Sequence, residues 1–272
     1  MASVPELPEV ESVRRQLAPR LVGRRVSRVA VDPAMPRYDR ARDAEGGRVD
    51  DLRRRGKYLI ADLDTDRDLI LHLGMTGILR WRGEDGWDGS DPYVRATIEL
   101  DDGSMLDFRD VRRFGTFVVT PAGEHERLPT LAALGPEPLS GAFTREGFHR
   151  ALSSTRQQVK PFLLSQRPVA GVGNIYADEA LWRARIRPTA RRIGRERSDR
   201  LWHAIRTVLA ESIEREGTTF RDYQMVNGES GRNADFLVAY GQGGRPCPRC
   251  GEPMRKGVVG GRGTTWCARC QR

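Results

Sequence analysis

The stretch PELPEVESVRRQLAPRLVGRRVSRVAVD, Pro5 to Asp32, changes its hydrophobic period partway along. Leu7, Val10, Val13, Leu17 and Leu21 recur every three or four positions, which predicts one buried face of a helix over Leu7–Leu21. From Arg25 the pattern turns to a short β-prone run, RVSRVAVD, and four more follow: KYLIADL from Lys57, LILHLGM from Leu69, RATIELDDGSMLDF from Arg95 and FGTFVVT from Phe114. Within the fourth, Ala96–Phe108 reads as a hairpin turning at Asp101-Asp102-Gly103-Ser104, with glycine supplying the turn. One helix and many short strands make residues 1–120 a β-rich domain of two packed sheets.

Beyond it, proline and glycine cluster in TPAGEHERLPTLAALGPEPLSG, Thr120 to Gly141, and residues 121–141 read as a linker. The period then becomes helical over Arg145–Ser154, Gln157–Ser165 and Ile175–Ile186. A longer helix is predicted with Ser198 as its cap and Leu201, Ile205, Val208, Leu209 and Ile213 as its buried face. Gly217 ends that helix, and a polar loop, Val226–Ala234, closes a helical domain over 142–237. Residues 238–272 form a separate cysteine-bearing segment.

The chain has 272 residues, 38% of them hydrophobic and 31% charged, which suits folded domains rather than disorder. Lysine and arginine outnumber the acids 46 to 37, for a net charge of +9. Such an excess favours a polyanionic partner, because each neutralised phosphate releases a condensed counterion. The first residues, MASVPELPEVES, lack the basic start and apolar run of a secretory signal. No stretch approaches the ~20 apolar residues of a membrane span. A cytoplasmic protein without membrane contact is expected.

All four cysteines lie at the end of the sequence, in two pairs, Cys247-Pro-Arg-Cys250 and Cys267-Ala-Arg-Cys270. Two C-x2-C knuckles close a tetrahedral thiolate shell around one Zn²⁺, and a closed shell leaves no position for water, so the zinc is structural. It folds a hairpin too small for its own core. From Gly241 onward Arg245, Arg249, Arg255, Lys256, Arg262, Arg269 and Arg272 face a single acid, Glu252, which suits a finger meeting phosphate.

Several ordered motifs resemble the formamidopyrimidine-DNA glycosylase family: Pro5-Glu6-Leu7-Pro8-Glu9-Val10-Glu11, Gly56-Lys57-Tyr58, His72-Leu73-Gly74-Met75, Arg112-Arg113-Phe114-Gly115, Leu134–Leu139, Gly171–Ala177 and the cysteine finger. Together they span essentially the full length. The resemblance implies an α+β multidomain fold. An N-terminal helix and two-sheet β-sandwich precede a helical domain with a helix–two-turn–helix element, and a zinc-finger β-hairpin ends the chain. It also implies base excision repair: removal of 8-oxoguanine and formamidopyrimidines from duplex DNA, then strand cleavage by β,δ-elimination, performed by a monomer.

In that family the proline is the first residue of the mature chain and attacks the sugar through its amine. An α-amino group has a pKa near 8, against about 10.4 for lysine, so more of it is nucleophilic at pH 7. By the same resemblance Pro5 is the nucleophile and Glu6 the general acid/base. Lys57 contacts phosphate and donates a proton in β-elimination, and Arg262 assists δ-elimination. Met75, Arg112 and Phe114 resemble the trio that fills the space left by a flipped base. His72 falls in one of the matched motifs and counts among the DNA-binding residues. Asn174, with Arg156 and Lys160 upstream, falls on the DNA backbone. Glycines at Gly171 and Gly173 before a helix N-terminus suit a phosphate. The loop Val226–Asn233 resembles the segment that covers an everted oxidised purine.

Two departures stand out. Met1-Ala2-Ser3-Val4 precedes Pro5, and an internal proline nitrogen is an amide with no nucleophilic lone pair. A start at the Val4 codon followed by methionine removal would expose it; the alternative is a genuine extension, with Ala2 or Lys57 as the amine or with no catalysis. Asp91 stands where the family often has a DNA-contacting histidine. Three other readings remain open: an oxidised-pyrimidine glycosylase of the endonuclease VIII branch, a non-catalytic DNA-damage binder and a zinc-ribbon adaptor.

Overall fold

Helix α1 (Leu7–Leu21) spans the residues its periodicity predicts, with Val10, Val13, Leu17 and Leu21 buried. Pro8 lies in the first turn, where a missing N–H costs nothing. The computed structural model describes residues 4–84, 86–219 and 226–272. They form two compact units, Met1–Ala132 with Glu216–Arg232, and Ala133–Arg215 with Asn233–Arg272.

In the first unit the strands are β1 (Val26–Val31), β2 (Val49–Arg55), β3 (Tyr58–Leu63), β4 (Arg67–His72), β5 (Gly77–Trp81), β6 (Val94–Leu100), β7 (Met105–Asp110) and β8 (Thr116–Pro121). They make two four-stranded antiparallel sheets, ordered β1-β6-β7-β5 and β2-β3-β4-β8. The expected hairpin is β6–β7, turning at Gly103 with φ +80°. Sequence periodicity did not flag β2 and β5. In β2, VDDLRRR, only Val49 and Leu52 are buried, and a bulge between Val49 and Asp51 breaks the alternation. In β5 all five residues are buried, so no alternation exists to be read.

Aromatic rings knit the two sheets. Phe108 of β7 stacks on Phe117 of β8 with centroids 5.8 Å apart, and Tyr38 meets them at 6.1 and 6.2 Å. Tyr38 comes from a 3₁₀ segment, Pro36–Ala44, and donates its hydroxyl to the Gly115 carbonyl at 2.9 Å. The buried face of α1 joins the same core.

Residues 216–219 and 226–232, which sequence reading assigned to the helical domain, belong instead to the first unit. The Glu9 carboxylate accepts the Thr218 N–H at 2.7 Å, and the Gln16 side-chain oxygen accepts that of Val226 at 2.9 Å. The Thr120–Gly141 stretch is likewise divided rather than free. It supplies the end of β8, a 3₁₀ turn (His125–Arg127) and helix α2 (Pro129–Ala132) to the first unit, and enters the second at Ala133.

The second unit contains α3 (Arg145–Ser153), α4 (Val159–Leu164), α5 (Asn174–Arg183), α6 (Arg195–Glu214) and a hairpin of β9 (Arg255–Val259) and β10 (Arg262–Trp266). The predicted face of α6, Leu201, Ile205, Val208, Leu209 and Ile213, is buried. Its cap is not Ser198: the helix starts earlier, after Gly194, and Ser198 lies buried inside the first turn. Among the described residues no helix is long and apolar enough to cross a membrane.

Candidate functional site

The PELPEVE segment builds one end of the first unit from its three glutamates. Glu6 occupies the cap of α1, and its N–H donates to the Glu9 carboxylate at 2.8 Å in a closed capping box. Pro5 and Glu6 are buried. Glu9, also buried, turns its other oxygen to Thr218, so one side chain holds both the start of α1 and a segment far along the chain. A Cβ on Gly217 would lie 2.8 Å from that oxygen, and the residue has φ +79°, so both space and backbone demand glycine. Met1, Ala2 and Ser3, including the Ala2 amine, lie outside the described residues.

Glu11 works in the other direction. Its carboxylate accepts from Arg54 at 3.1 Å, and Arg54 also donates to the Gly56 carbonyl at 3.0 Å. Burial pushes the Glu11 carboxyl upward, but Arg14 and Arg54 outweigh it and hold it below the usual range. Gly56 and Lys57 form the two-residue turn between β2 and β3, so the relay Glu11–Arg54–Gly56 fixes the lysine turn relative to α1. Lys57 is buried, at 8% exposure, rather than a free surface charge.

His72, at the end of β4, packs against the Tyr58 ring with centroids 4.6 Å apart. Its Nδ1 accepts the Gly74 N–H at 3.0 Å, so the neutral ring carries its proton on Nε2. Burial, reinforced by the Lys57 cation, pushes its pKa down to about 4. At neutral pH the ring is therefore an uncharged donor beside a cation.

The two loops bearing Met75, Arg112 and Phe114 are clamped by a residue that sequence reading missed. Asp110 is wholly buried; one oxygen accepts from the Thr76 hydroxyl and the other from the Gly115 N–H, both at 2.7 Å. The Thr76 hydroxyl oxygen in turn accepts the Arg112 N–H at 2.9 Å. Arg113 takes φ +59° at the tip, and Arg112 lies over the Phe114 ring at 4.8 Å. Phe114 is 56% exposed, an unusual state for a large apolar ring, while Met75 is half-buried. The loops that carry the three side chains are thus tied to each other through Asp110 and Thr76. Asp91 is engaged elsewhere: it pairs with Arg109 at 2.8 Å and accepts the Tyr93 N–H at 2.7 Å.

In the second unit the helix α5 grips the finger hairpin. Lys160, expected on the DNA backbone, is completely buried. Its ammonium donates to Asp178 at 2.6 Å, Thr264 at 2.8 Å and the Gly263 carbonyl at 3.2 Å. A lysine with no solvent access must be paired in this way, so its contacts are internal. Burial pushes the Asp178 carboxyl up to about 6, against the pull of Lys160. The other Asp178 oxygen accepts the Thr265 N–H at 2.9 Å. Asn174 opens α5 after Gly173 and donates its side-chain amide to Gly263 at 3.1 Å. Glu179, on the same helix, accepts the N–H groups of Val238, Ala239 and Tyr240. Arg262 starts β10 just after the Gly260-Gly261 turn and is exposed, beside the doubly held Gly263 carbonyl. Arg156 is exposed as well.

The four cysteines converge, with all their sulfurs within 4.8 Å of one another. Cys250 and Cys267 lie 3.5 Å apart, and Cys247 and Cys270 4.0 Å. A tetrahedron with ~2.3 Å Zn–S bonds has edges of about 3.8 Å, so the set fits one Zn²⁺. With four thiolates the metal has no open position, and it serves to hold the knuckles together.

Comparison with known proteins matches this architecture part by part. The formamidopyrimidine-DNA glycosylase N-terminal domain matches residues 4–117, its H2TH domain residues 134–224, and a zinc finger found in FPG and IleRS residues 244–272. A formamidopyrimidine-DNA glycosylase of Deinococcus radiodurans is 44% identical over 98% of this chain and 97% of its own length. One from Thermus thermophilus is 44% identical over 98% of both. Among solved structures, the MutM (FPG) protein of Thermus thermophilus superposes with a TM-score of 0.91 at 43% identity, covering 98% of each chain. A Lactococcus lactis FPG mutant in complex with Fapy-dG-containing DNA gives 0.89 at 34% identity, over 98% of this chain and all of that one. By domain content, sequence and fold alike, the chain belongs to the formamidopyrimidine-DNA glycosylase family.

Proposed function

We propose that the chain is a glycosylase and abasic-site lyase of base excision repair, which excises oxidised purines, 8-oxoguanine and formamidopyrimidines, from duplex DNA and then cuts the strand. The observation that carries this reading is the convergence at the start of α1. Buried Pro5 and Glu6 are fixed through Glu9, and the Lys57 turn is tied to the same helix through Glu11 and Arg54. The purine branch is favoured over endonuclease VIII because relatives bear that name, and similar structures hold Fapy-dG or carbocyclic 8-oxo-G DNA.

The steps follow from the residues. The damaged nucleotide leaves the stack, Met75 and Phe114 fill its place, and Arg112 hydrogen-bonds the orphaned partner base. The Pro5 amine attacks the sugar C1′ while Glu6 protonates the ring oxygen; the base departs and an iminium forms. That cation acidifies the adjacent carbon, which loses a proton to the Glu6 carboxylate as the 3′ phosphate leaves, and a second elimination releases the 5′ phosphate. Lys57 and neutral His72 hold the phosphate side, and Lys57 supplies the proton of the first elimination. Arg262 assists the second. Asn174 and Arg156 bind the backbone, whereas Lys160 acts only by holding the finger. The zinc, bound by Cys247, Cys250, Cys267 and Cys270, stiffens the finger and takes no part in bond breaking. Such an enzyme works as a monomer on cytoplasmic, nucleoid DNA.

Attack by Pro5 requires that Pro5 be the first residue of the working chain. Borohydride trapping on an 8-oxoguanine duplex, followed by peptide mass mapping of the protein made from its native gene, tests this. A DNA remnant on a peptide beginning at Pro5 is expected. A remnant on Ala2 or Lys57 would move the chemistry to another amine. Damaged DNA bound without any adduct would leave a non-catalytic binder.

A further inference from the structure

Behind the zinc knuckles lies a cavity of about 610 Å³ lined by Arg185, Arg197, Arg200, Arg249, Arg269 and Arg272, with Cys250 and Cys270. Among the described residues no acidic side chain lines it. Arg185 follows the end of α5, Arg197 and Arg200 come from the first turns of α6, and Arg249 and Arg269 sit inside the two knuckles. The hairpin tip, with Arg262, lies at the far end of two five-residue strands, on the order of 15 Å along the finger. The cavity is therefore separate from the finger's proposed DNA contact.

Like charges do not gather in a concavity without compensation. One carboxylate, Glu196, pairs with Arg200 at 2.5 Å, and a zinc tetrathiolate is doubly negative. Six guanidiniums exceed both, even with the main-chain carboxylate of Arg272 counted against them, so positive charge remains in surplus. Part of the cluster is held rigid by main-chain acceptors. Arg249 donates to the carbonyls of Trp182 and Arg183 at 2.6 and 3.1 Å while stacking on the Trp182 ring at 3.8 Å. Arg200 donates to the Ala184 carbonyl at 3.3 Å, and Arg197 to a main-chain carboxylate oxygen of Arg272. Burial and neighbouring Arg200 together disfavour the charged form of Arg197. Arg185 adopts φ +59°, a left-handed conformation in which a residue with a Cβ is strained, and this turn carries its side chain to the cavity. Preset planar forks of this kind match phosphate oxygens bidentately, and the volume suits a small ligand.

We infer that this arginine-lined cavity is a second anion site, which binds closely spaced phosphates independently of the DNA-cutting centre. The phosphates come either from a free oligophosphate or from the backbone of a second DNA segment. Both present successive phosphates whose paired non-bridging oxygens match a guanidinium fork.

The test uses the zinc-loaded protein with its DNA site filled by a duplex carrying a stable abasic analogue. Calorimetric titration with inorganic tripolyphosphate should show one equivalent bound. Arg185→Gln combined with Arg197→Gln should weaken that binding at least tenfold while zinc content and lesion excision stay at the wild-type level. Arg269→Gln, at an exposed position, should weaken it severalfold alone and guards against misfolding of the double variant. Displacement of tripolyphosphate by added undamaged duplex would assign the natural ligand to DNA, and its persistence would assign it to a free oligophosphate. Absence of binding at millimolar tripolyphosphate, or equal affinity in the variants, would overturn the proposal. Failure of Pro5 trapping would not touch it, because the readout is binding.

Discussion

The main chain of Phe114 lies 2.6 Å from the point that a Cβ on Gly74 would occupy. Gly74 also has φ +63°, so no other residue fits there without moving a loop. This approach seats the Met75 loop against the Phe114 loop. Gly74→Ala should separate them and lower 8-oxoguanine excision by about tenfold, or ~1.4 kcal/mol in the barrier. Single-turnover kinetics and base-eversion fluorescence, measured together, check it; wild-type eversion in this variant would refute the role given to the loop pair.

Asp110 holds the same pair from below. Asp110→Asn leaves one of its partners, the Thr76 hydroxyl or the Gly115 N–H, facing an amide that cannot accept equally at both ends. A loss of about 2 kcal/mol in stability is expected, with weaker binding to lesion duplexes. Urea unfolding and a binding titration would show it, and an unchanged midpoint would count against the clamp.

Glu6→Gln removes the acid but keeps the size of the α1 cap. Binding to damaged duplex should stay within about threefold, while excision falls by a factor of about 10² or more. Normal turnover would eliminate Glu6 as the acid/base.

Cys250→Ser breaks the four-thiolate set. Metal analysis should find less than one zinc per chain, and DNA affinity should drop as the finger loosens, because metal binding and folding are coupled in so short a hairpin. Retention of a full equivalent would mean that the ligand set is wrong.

His72 gives a pH signature. Its pKa is about 6.5 in an unfolded chain and about 4 in the folded one. Between those values the unfolded chain binds a proton that the folded chain refuses. The stabilisation is therefore full above pH 6.5 and is lost as pH falls toward 4, by at most about 3 kcal/mol. His72→Gln should flatten this part of the pH–stability curve; identical slopes for the two proteins would contradict the burial argument.

Elements with a clear period were legible in the sequence: α1, α6 and the β6–β7 hairpin all follow alternation or a helical face. The zinc set was legible because knuckle spacing and a tetrahedral shell leave little choice. Ser198 was misjudged because a serine near a helix start is read as a cap, whereas Gly194 lets the helix begin a turn earlier. Lys160 was misjudged because a lysine near a DNA-binding motif reads as surface charge. Its partners, Asp178 and Thr264, are remote in sequence, and only the fold shows that it is sealed inside. Asp110 and Arg54 escaped notice for the same reason, since each takes its role from segments that meet in space.

The Glu9–Thr218 hydrogen bond joins residues 209 positions apart. The ribosome releases the chain from its N-terminus, so the two sheets and α1 emerge long before Thr218 exists. Until then Glu9 lacks its Thr218 partner, while its bond to the Glu6 N–H can already form. Competence at that end of the unit thus arrives late in synthesis, after α6 has been made. A chain cut short anywhere before residue 218 lacks the Thr218 N–H that holds the Glu9 carboxylate at the start of α1.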